Sequence, residues 1–166
     1  MEYQKLRLLV FLDPMRDPLG AGYNVIQSRI AVGSGGFWGK GFMMGMQSKL
    51  RFLPEPHTDF IFSVYSEEFG FLGTSILLAL FGVLLYRIAA AGLRSRDRRC
   101  KIMMSGIAVW IWFQMFESIG MSIGLMPVTG LPLPFLSYGG SALLSVFVAL
   151  GLVGSVYIDS AKRFHF

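Results

Sequence analysis

The stretch FGFLGTSILLALFGVLLYRIAAA, residues 69–91, decides the fold. Its single charge is Arg87, and its length is sufficient for a helix that crosses a bilayer. A basic turn, RSRDRRCK, follows at residues 94–101, and two further apolar stretches lie at about 102–126 and 141–158. We therefore predict an all-α integral membrane protein with about three transmembrane helices.

The composition agrees with a membrane protein, since 54% of the 166 residues are hydrophobic and only 15% are charged. Soluble domains carry roughly 25% charged residues. The net charge of +5 does not indicate nucleic acid binding, because the basic residues cluster between two apolar stretches instead of forming a stripe with aromatic residues. The single cysteine, Cys100, excludes an internal disulfide, and no paired Cys and His spacing predicts a structural metal site.

The positions of the basic residues predict the orientation in the membrane. Short loops rich in Lys and Arg stay in the cytoplasm. We therefore expect the loop 92–101 and the tail 159–166, which includes the C-terminus, to be cytoplasmic. Residues 1–68 then form a long extracytoplasmic loop segment, with short interfacial helices and the start of the first membrane helix. The loop between the second and third helices also lies outside.

Two shorter patterns lie within the N-terminal segment. An amphipathic helix is predicted at Tyr23–Val32, with Tyr23, Ile26 and Ile30 on one face. The glycine-rich run 33–41 lacks the spacing of a phosphate-binding loop, and Gly follows its Lys where Ser or Thr is needed. We expect these glycines to permit tight turns instead of binding a nucleotide.

Polar side chains inside the second apolar stretch recur at helical spacing. Gln114, Glu117, Ser118, Met121 and Ser122 share one face, which should contact protein or water because polar groups are costly in hydrocarbon. Glu117 could form a structural hydrogen bond between helices or serve a function, and the pattern leaves both open. Three helices are too few to satisfy such groups, so the chain should be part of a larger polytopic bundle.

Four ordered motifs go beyond the fold class. They are FLDP and DPLGAGY within 11–23, QSRIAVGSGG at 27–36, LPEPHTDFIF running into EEFGFLG within 53–73, and PVTGLPLPFLSYGGS at 127–141. Together they resemble the SEDS family (shape, elongation, division and sporulation) of bacterial peptidoglycan glycosyltransferases. The GKGF and QS details at 39–42 and 47–48 are more similar to the RodA branch than to FtsW. The resemblance covers nearly the whole chain and matches the C-terminal portion of the family, whose members have roughly ten spans.

The resemblance implies a function in cell wall synthesis, cell shape and division at the bacterial cytoplasmic membrane. The family polymerises lipid II: an acceptor sugar hydroxyl attacks the anomeric carbon of a donor and expels its undecaprenyl pyrophosphate. It also implies a class B penicillin-binding protein as partner, beside membrane lipids. The resemblance leaves a divalent cation as a candidate cofactor, although no ligand set is visible in the sequence.

Asp59 is the predicted catalytic residue. It matches the essential aspartate of the family's HTDF motif, and such a reaction needs a base near the attacking hydroxyl. An acid at this position could equally cap the helix that follows. Further candidates for substrate binding lie in the outer segments and, in the case of Glu117, in the second span. They are His57, Lys40, Lys49, Arg51, Glu117 and Ser137. Glu67 and Glu68 are expected to have structural roles.

Two other functions fit the same sequence. A flippase for the lipid-linked precursor would use the polar face of the second span, and Glu117 would then matter more than Asp59. A truncated, non-catalytic relative would bind partner helices at most. Whether this chain is an enzyme by itself is left open by the sequence.

Overall fold

The computed structural model describes residues 21–45 and 58–162, and side chains within 22–45 and 58–159. These residues form four helices: α1, Ala21–Ser34; α2, Ile61–Arg94; α3, Arg98–Ile123; and α4, Gly140–Lys162. Helices α2, α3 and α4 are each long and apolar enough to cross a membrane. The prediction of an all-α membrane protein with three transmembrane helices is confirmed.

Helices α2 and α3 form an antiparallel hairpin around the basic turn. The Asp97 carboxylate accepts a hydrogen bond from the Arg99 backbone N–H at 3.0 Å, which caps the start of α3. Helix α4 packs more against α2 than against α3. Buried apolar side chains fill the bundle near the basic turn: Ile88, Ala91, Met104, Ile111 and Val156. A second cluster lies towards the opposite end: Phe62, Leu77, Phe81 and Leu133.

Helix α1 packs onto α2 and α3 through a face of small and branched side chains. Val25, Ser28 and Ala31 are buried on this face, whereas Ile30 of the predicted apolar face is 48% exposed. Tertiary packing selects the small side chains because they let the helices approach closely. The helix therefore covers the ends of two membrane helices with a face that differs from the one predicted.

One serine hydroxyl joins these three helices. Ser28 Oγ lies 2.6 Å from Ser63 Oγ in α2 and donates to the Ser122 carbonyl in α3, also at 2.6 Å. A hydroxyl has one proton, so Ser63 must donate to Ser28. All three residues are buried, and this chain of hydrogen bonds fixes the position of α1.

Helix α2 begins at Ile61, earlier than the span predicted from about residue 69, and it is broken at Gly70. Gly70 has φ 64° and ψ −161°, a conformation that essentially only glycine adopts. The glycine-rich segment 35–41 lies against this break. Its backbone exchanges hydrogen bonds with α2: the Lys40 N–H donates to the Glu67 carbonyl, and the Phe71 N–H donates to the Gly36 carbonyl. The segment thus replaces helical hydrogen bonds that the break removes.

Glycine is required on both sides of this contact. A Cβ atom at Gly35, Gly39 or Gly70 would collide with backbone atoms of the other segment. Gly36, Gly39 and Gly41 have positive φ, which confirms the tight turns predicted for the run. We refer to residues 35–41 as the glycine clasp.

Candidate functional site

Asp59 lies in the turn immediately before α2, at the opposite end of that helix from the basic turn. Its side chain is half-buried. None of the residues in 21–45 and 58–162 forms a hydrogen bond or an ion pair with its carboxylate. A helix-capping role would require such a bond to a free backbone N–H of the first turn, so this geometry favours a carboxylate available to another molecule.

Gly130 lies directly against the Asp59 carboxylate. A Cβ atom built on Gly130 would stand 3.2 Å from Asp59 Oδ2 and 3.9 Å from Oδ1. The backbone of Gly130 has φ +77°, which an L side chain rarely adopts. In the segment between α3 and α4, residues 124–139, the backbone of Gly130 therefore lies next to the carboxylate with no side chain between them. We call residues 127–139, which the sequence predicts to lie outside the cytoplasm, the outer loop.

Ser137 fastens the outer loop to the chain that carries Asp59. Its hydroxyl donates to the Thr58 carbonyl at 2.8 Å and accepts from the Leu133 N–H at 2.8 Å. The side chain is 7% exposed. Because both bonds use the hydroxyl, this structure gives Ser137 a positioning contact next to Asp59; its predicted part in substrate binding stays a prediction.

Glu117 forms a second contact that holds the outer loop, in addition to the contact of Ser137. This residue of α3 is 6% exposed, and its Oε1 accepts a hydrogen bond from Thr129 Oγ1 at 3.0 Å. Thr129 directly precedes Gly130, so Glu117 and Asp59 bracket the same piece of loop. Four members of the predicted polar face are buried in protein, which confirms that expectation: Glu117, Ser118, Met121 and Ser122.

Lys40 points towards α2. Its Nζ lies 2.7 Å from Oε1 of Glu67, whose side chain is fully buried, and Ser34 Oγ lies 3.5 Å from the same oxygen. This ion pair ties the glycine clasp to α2, and it agrees with the structural role expected for Glu67. The predicted part of Lys40 in substrate binding stays a prediction.

Three other predicted substrate-binding residues, His57, Lys49 and Arg51, lie outside the described residues. Within 21–45 and 58–162, no three His, Cys, Asp or Glu side chains come together as a metal-binding group. Thr129 and Gly130 were not singled out from the sequence. Their only signal was their place in the PVTG motif, since contact with Glu117 and Asp59 depends on the tertiary fold.

Arg29 of α1 forms a hydrogen bond at the C-terminal end of α3, where the chain enters the outer loop. Its Nη2 donates to the Gly124 carbonyl at 2.7 Å, and Gly124 has the left-handed conformation, φ 75°, that ends the helix. A cationic side chain at a helix C-terminus also interacts favourably with the helix dipole. Helix α1 thus fixes the point at which the chain leaves α3 for the outer loop.

Comparison with known proteins gives consistent matches. The family model for cell cycle proteins named for FtsW, RodA and SpoVE matches residues 1–162. The peptidoglycan glycosyltransferase MrdB of Escherichia coli K12 is 48% identical over 156 residues, which cover 94% of this chain and 42% of MrdB. The peptidoglycan glycosyltransferase RodA of Treponema pallidum is 46% identical, with 93% of this chain and 36% of RodA covered.

A solved structure of a peptidoglycan synthase complex that coordinates polymerization and crosslinking also matches. It has a TM-score of 0.74 and 43% identity, and the match covers 96% of this chain and 43% of the solved chain. The chain therefore spans less than half of the length of these relatives.

Proposed function

The chain belongs to the FtsW, RodA and SpoVE family of cell cycle proteins, and from that premise we propose that it supplies part of a peptidoglycan glycosyltransferase that polymerises lipid II. The observation that carries the proposal is the half-buried Asp59 carboxylate, which has no partner among the described residues and lies under Gly130. Relatives of similar sequence are named as peptidoglycan glycosyltransferases. The three apolar helices and these relatives support a location in a bacterial inner membrane.

The proposed orientation brings the site to the outer surface. The turn between α2 and α3 holds five basic residues and one acidic residue within 94–101, so it should face the cytoplasm. Asp59 and the outer loop lie at the other end of these helices, and the C-terminus of α4 lies on the same side as the basic turn. Asp59 would then lie at the level of a lipid-anchored sugar headgroup.

Asp59 serves as the general base in the proposed reaction. Its carboxylate takes the proton of an acceptor sugar hydroxyl as the oxygen forms a bond to the anomeric carbon of the donor. The bond from that carbon to the pyrophosphate oxygen breaks, and its electron pair leaves with the undecaprenyl pyrophosphate. Gly130 has no side chain, which leaves space beside the carboxylate, while Ser137 and Glu117 hold the surrounding chain in position.

A divalent cation is a further part of the proposal, and Asp59 would be the residue that holds it. Mg²⁺ is often held by one or two carboxylates together with substrate phosphates, and Asp59 is available for such a contact. When bound, the cation would neutralise charge that develops on the leaving pyrophosphate. Chelation followed by titration of Mg²⁺ or Mn²⁺ into the polymerisation assay tests this part of the proposal.

The polar face of α3 gives little support to transport. Glu117, Ser118 and Ser122 are buried against protein, and the Glu117 carboxylate is bonded to Thr129. A transport pathway would need these groups to face a continuous aqueous cavity. The contacts of Glu117 instead support a role in holding the outer loop beside Asp59.

Polymerisation of labelled lipid II by the complete natural polypeptide, purified with a class B penicillin-binding protein as the proposed partner, tests the function. We expect Asp59→Asn to remove at least about 99% of the polymer, because the amide keeps the shape of the side chain and removes the base. The matched control is Glu68→Gln, which also replaces a carboxylate by an amide but lies within α2. This variant should keep most of the polymerisation activity. Full activity in Asp59→Asn would refute the role of Asp59, and no polymer from the folded wild-type complex would refute the enzymatic function.

A further inference from the structure

The break at Gly70 divides α2 into two halves, and the outer half, residues 61–69, directly follows Asp59. In an unbroken helix the Phe71 and Leu72 N–H groups would donate to carbonyls four residues earlier. Here they donate to carbonyls of the glycine clasp, at 2.9 and 3.2 Å. The carbonyls that they leave on the outer half accept N–H groups of the clasp instead, both at 3.0 Å. The clasp is therefore one of the contacts that fix the half-helix next to Asp59.

Lys40 of the clasp bonds twice to Glu67 in this outer half. Its backbone N–H donates to the Glu67 carbonyl at 3.0 Å, and its Nζ lies 2.7 Å from Glu67 Oε1. The Glu67 side chain is fully buried, whereas the Lys40 side chain is 33% exposed. A buried carboxylate without a cation is costly, so the carboxylate keeps the ammonium group in place. Lys40 thus holds the backbone and the side chain of the same residue.

The Lys40 ammonium group lies well away from Asp59 along α2. From Ile61, the first residue of α2, to Glu67 the helix rises by about 9 Å, and Asp59 lies before Ile61. The ion pair with Glu67 also occupies the charge with which Lys40 would contact a pyrophosphate. These observations favour an effect of Lys40 on Asp59 through the helix, and they do not favour contact with the substrate.

We propose that Lys40 is a positioning residue of the glycosyl transfer: its two bonds to Glu67 fix the outer half of α2 and thereby the place of the Asp59 carboxylate beside Gly130. The inference rests on the proposed function and assigns Lys40 a role other than the substrate binding predicted from the sequence. A base acts only within hydrogen-bond reach of the proton that it takes, and a misplacement of about 1 Å can slow a reaction about 100-fold. Loss of the contact should therefore slow the chemical step and leave binding of lipid II nearly unchanged.

Steady-state polymerisation of lipid II by the complete natural polypeptide with its proposed penicillin-binding partner tests this role, at a temperature at which all variants are folded. Lys40→Met and Glu67→Leu should each lower kcat about tenfold and change KM less than about twofold, because each removes the same contact. The double variant should be faster than Lys40→Met, since it leaves no buried charge unpaired. The matched control is Glu68→Leu, which removes the neighbouring carboxylate. That carboxylate forms no ion pair among the described residues, so kcat should stay unchanged.

A double-variant cycle with Asp59 tests whether Lys40 acts through that carboxylate. In Asp59→Asn, measured at raised enzyme concentration, the addition of Lys40→Met should cause no further loss, because the base that Lys40 positions is absent. A further loss of about tenfold would overturn the proposal. A raised KM with unchanged kcat in Lys40→Met would also overturn it, since Lys40 would then contact the substrate, and so would unchanged kinetics of Lys40→Met beside an active wild type. No polymer from the folded wild-type complex would refute the proposed function, and this inference with it.

Discussion

The backbone of Gly130 lies against the carboxylate of Asp59, so closely that a Cβ atom there would stand 3.2 Å from Oδ2. This relationship joins two motifs that are far apart in the sequence. The outer loop reaches Asp59 because Ser137 bonds to Thr58 and Glu117 bonds to Thr129. The half-buried Asp59 thus lies against a loop backbone that is itself held in place by hydrogen bonds.

Gly130→Ala is expected to lower polymerisation of lipid II about tenfold or more. The added methyl group crowds the carboxylate, and φ +77° is unfavourable for alanine, so the loop must shift. The assay is initial polymerisation rate at fixed amounts of folded protein. Gly36→Ala is the control, because Gly36 also has positive φ but its Cβ would meet nothing within 4 Å. Equal rates for wild type and Gly130→Ala would contradict a functional contact with Asp59.

Glu117 is expected to act through its hydrogen bond and not through its charge. Glu117→Gln keeps an oxygen that can accept from Thr129, and it should retain most of the polymerisation rate. Thr129→Val should destabilise the protein by about 1–3 kcal/mol, because the buried Glu117 carboxylate loses its partner. Glu117→Ala should cost less, because it leaves only the exposed Thr129 hydroxyl unpaired and water can bond to it. The double variant should be little worse than either single variant.

Thermal unfolding in detergent and polymerisation rate, measured on the same preparations, separate these effects. If Glu117→Gln stops activity without changing stability, the carboxylate has a charged role that the hydrogen bond does not explain. A larger loss of activity in Glu117→Gln than in Asp59→Asn would revive the transport alternative.

The ion pair between Lys40 and Glu67 should stabilise the glycine clasp. Lys40→Met takes the ammonium group away from a fully buried carboxylate, and we expect a loss of about 1–3 kcal/mol, reduced by the access of water to the lysine. Adding Glu67→Leu should restore part of this stability, because the buried charge is then absent as well. Melting temperatures of the single and the double variant in detergent test whether the double variant is the more stable of the two. A Lys40→Met protein as stable as wild type would show that the pair contributes nothing to the clasp.

Much of the fold could be predicted because its signals are local. The apolar stretches and the basic residues between them fix the number of membrane helices, and the spacing of Glu117 and Ser118 fixes which face of α3 is buried. The break in α2 could not be predicted in this way. Gly70 resembles any glycine in an apolar helix until the glycine clasp lies against it, and that contact depends on residues far away in the sequence.

The site shows the same division. Asp59 was identified through its motif, whereas its neighbour Gly130 and the bond from Thr129 to Glu117 became evident only in three dimensions. Lys40 and Glu67 lie far apart in the sequence, and no local pattern indicates that they form one ion pair in the fold. Local spacing identifies residue types and faces; it does not identify which distant backbone segment approaches a side chain.

Ser28→Ala should destabilise the packing of α1 by about 1–3 kcal/mol, because it removes two buried hydrogen bonds. The Ser63 hydroxyl loses its acceptor, and the Ser122 carbonyl loses its donor. The matched control is Ser118→Ala. Ser118 is equally buried, but its Oγ has no hydrogen-bond partner among the described residues, so this change should be neutral or slightly stabilising. Urea or thermal unfolding of the two variants in the same detergent gives the comparison. Equal destabilisation would mean that both serines contribute through volume alone, and the serine chain between α1, α2 and α3 would then not fix the position of α1.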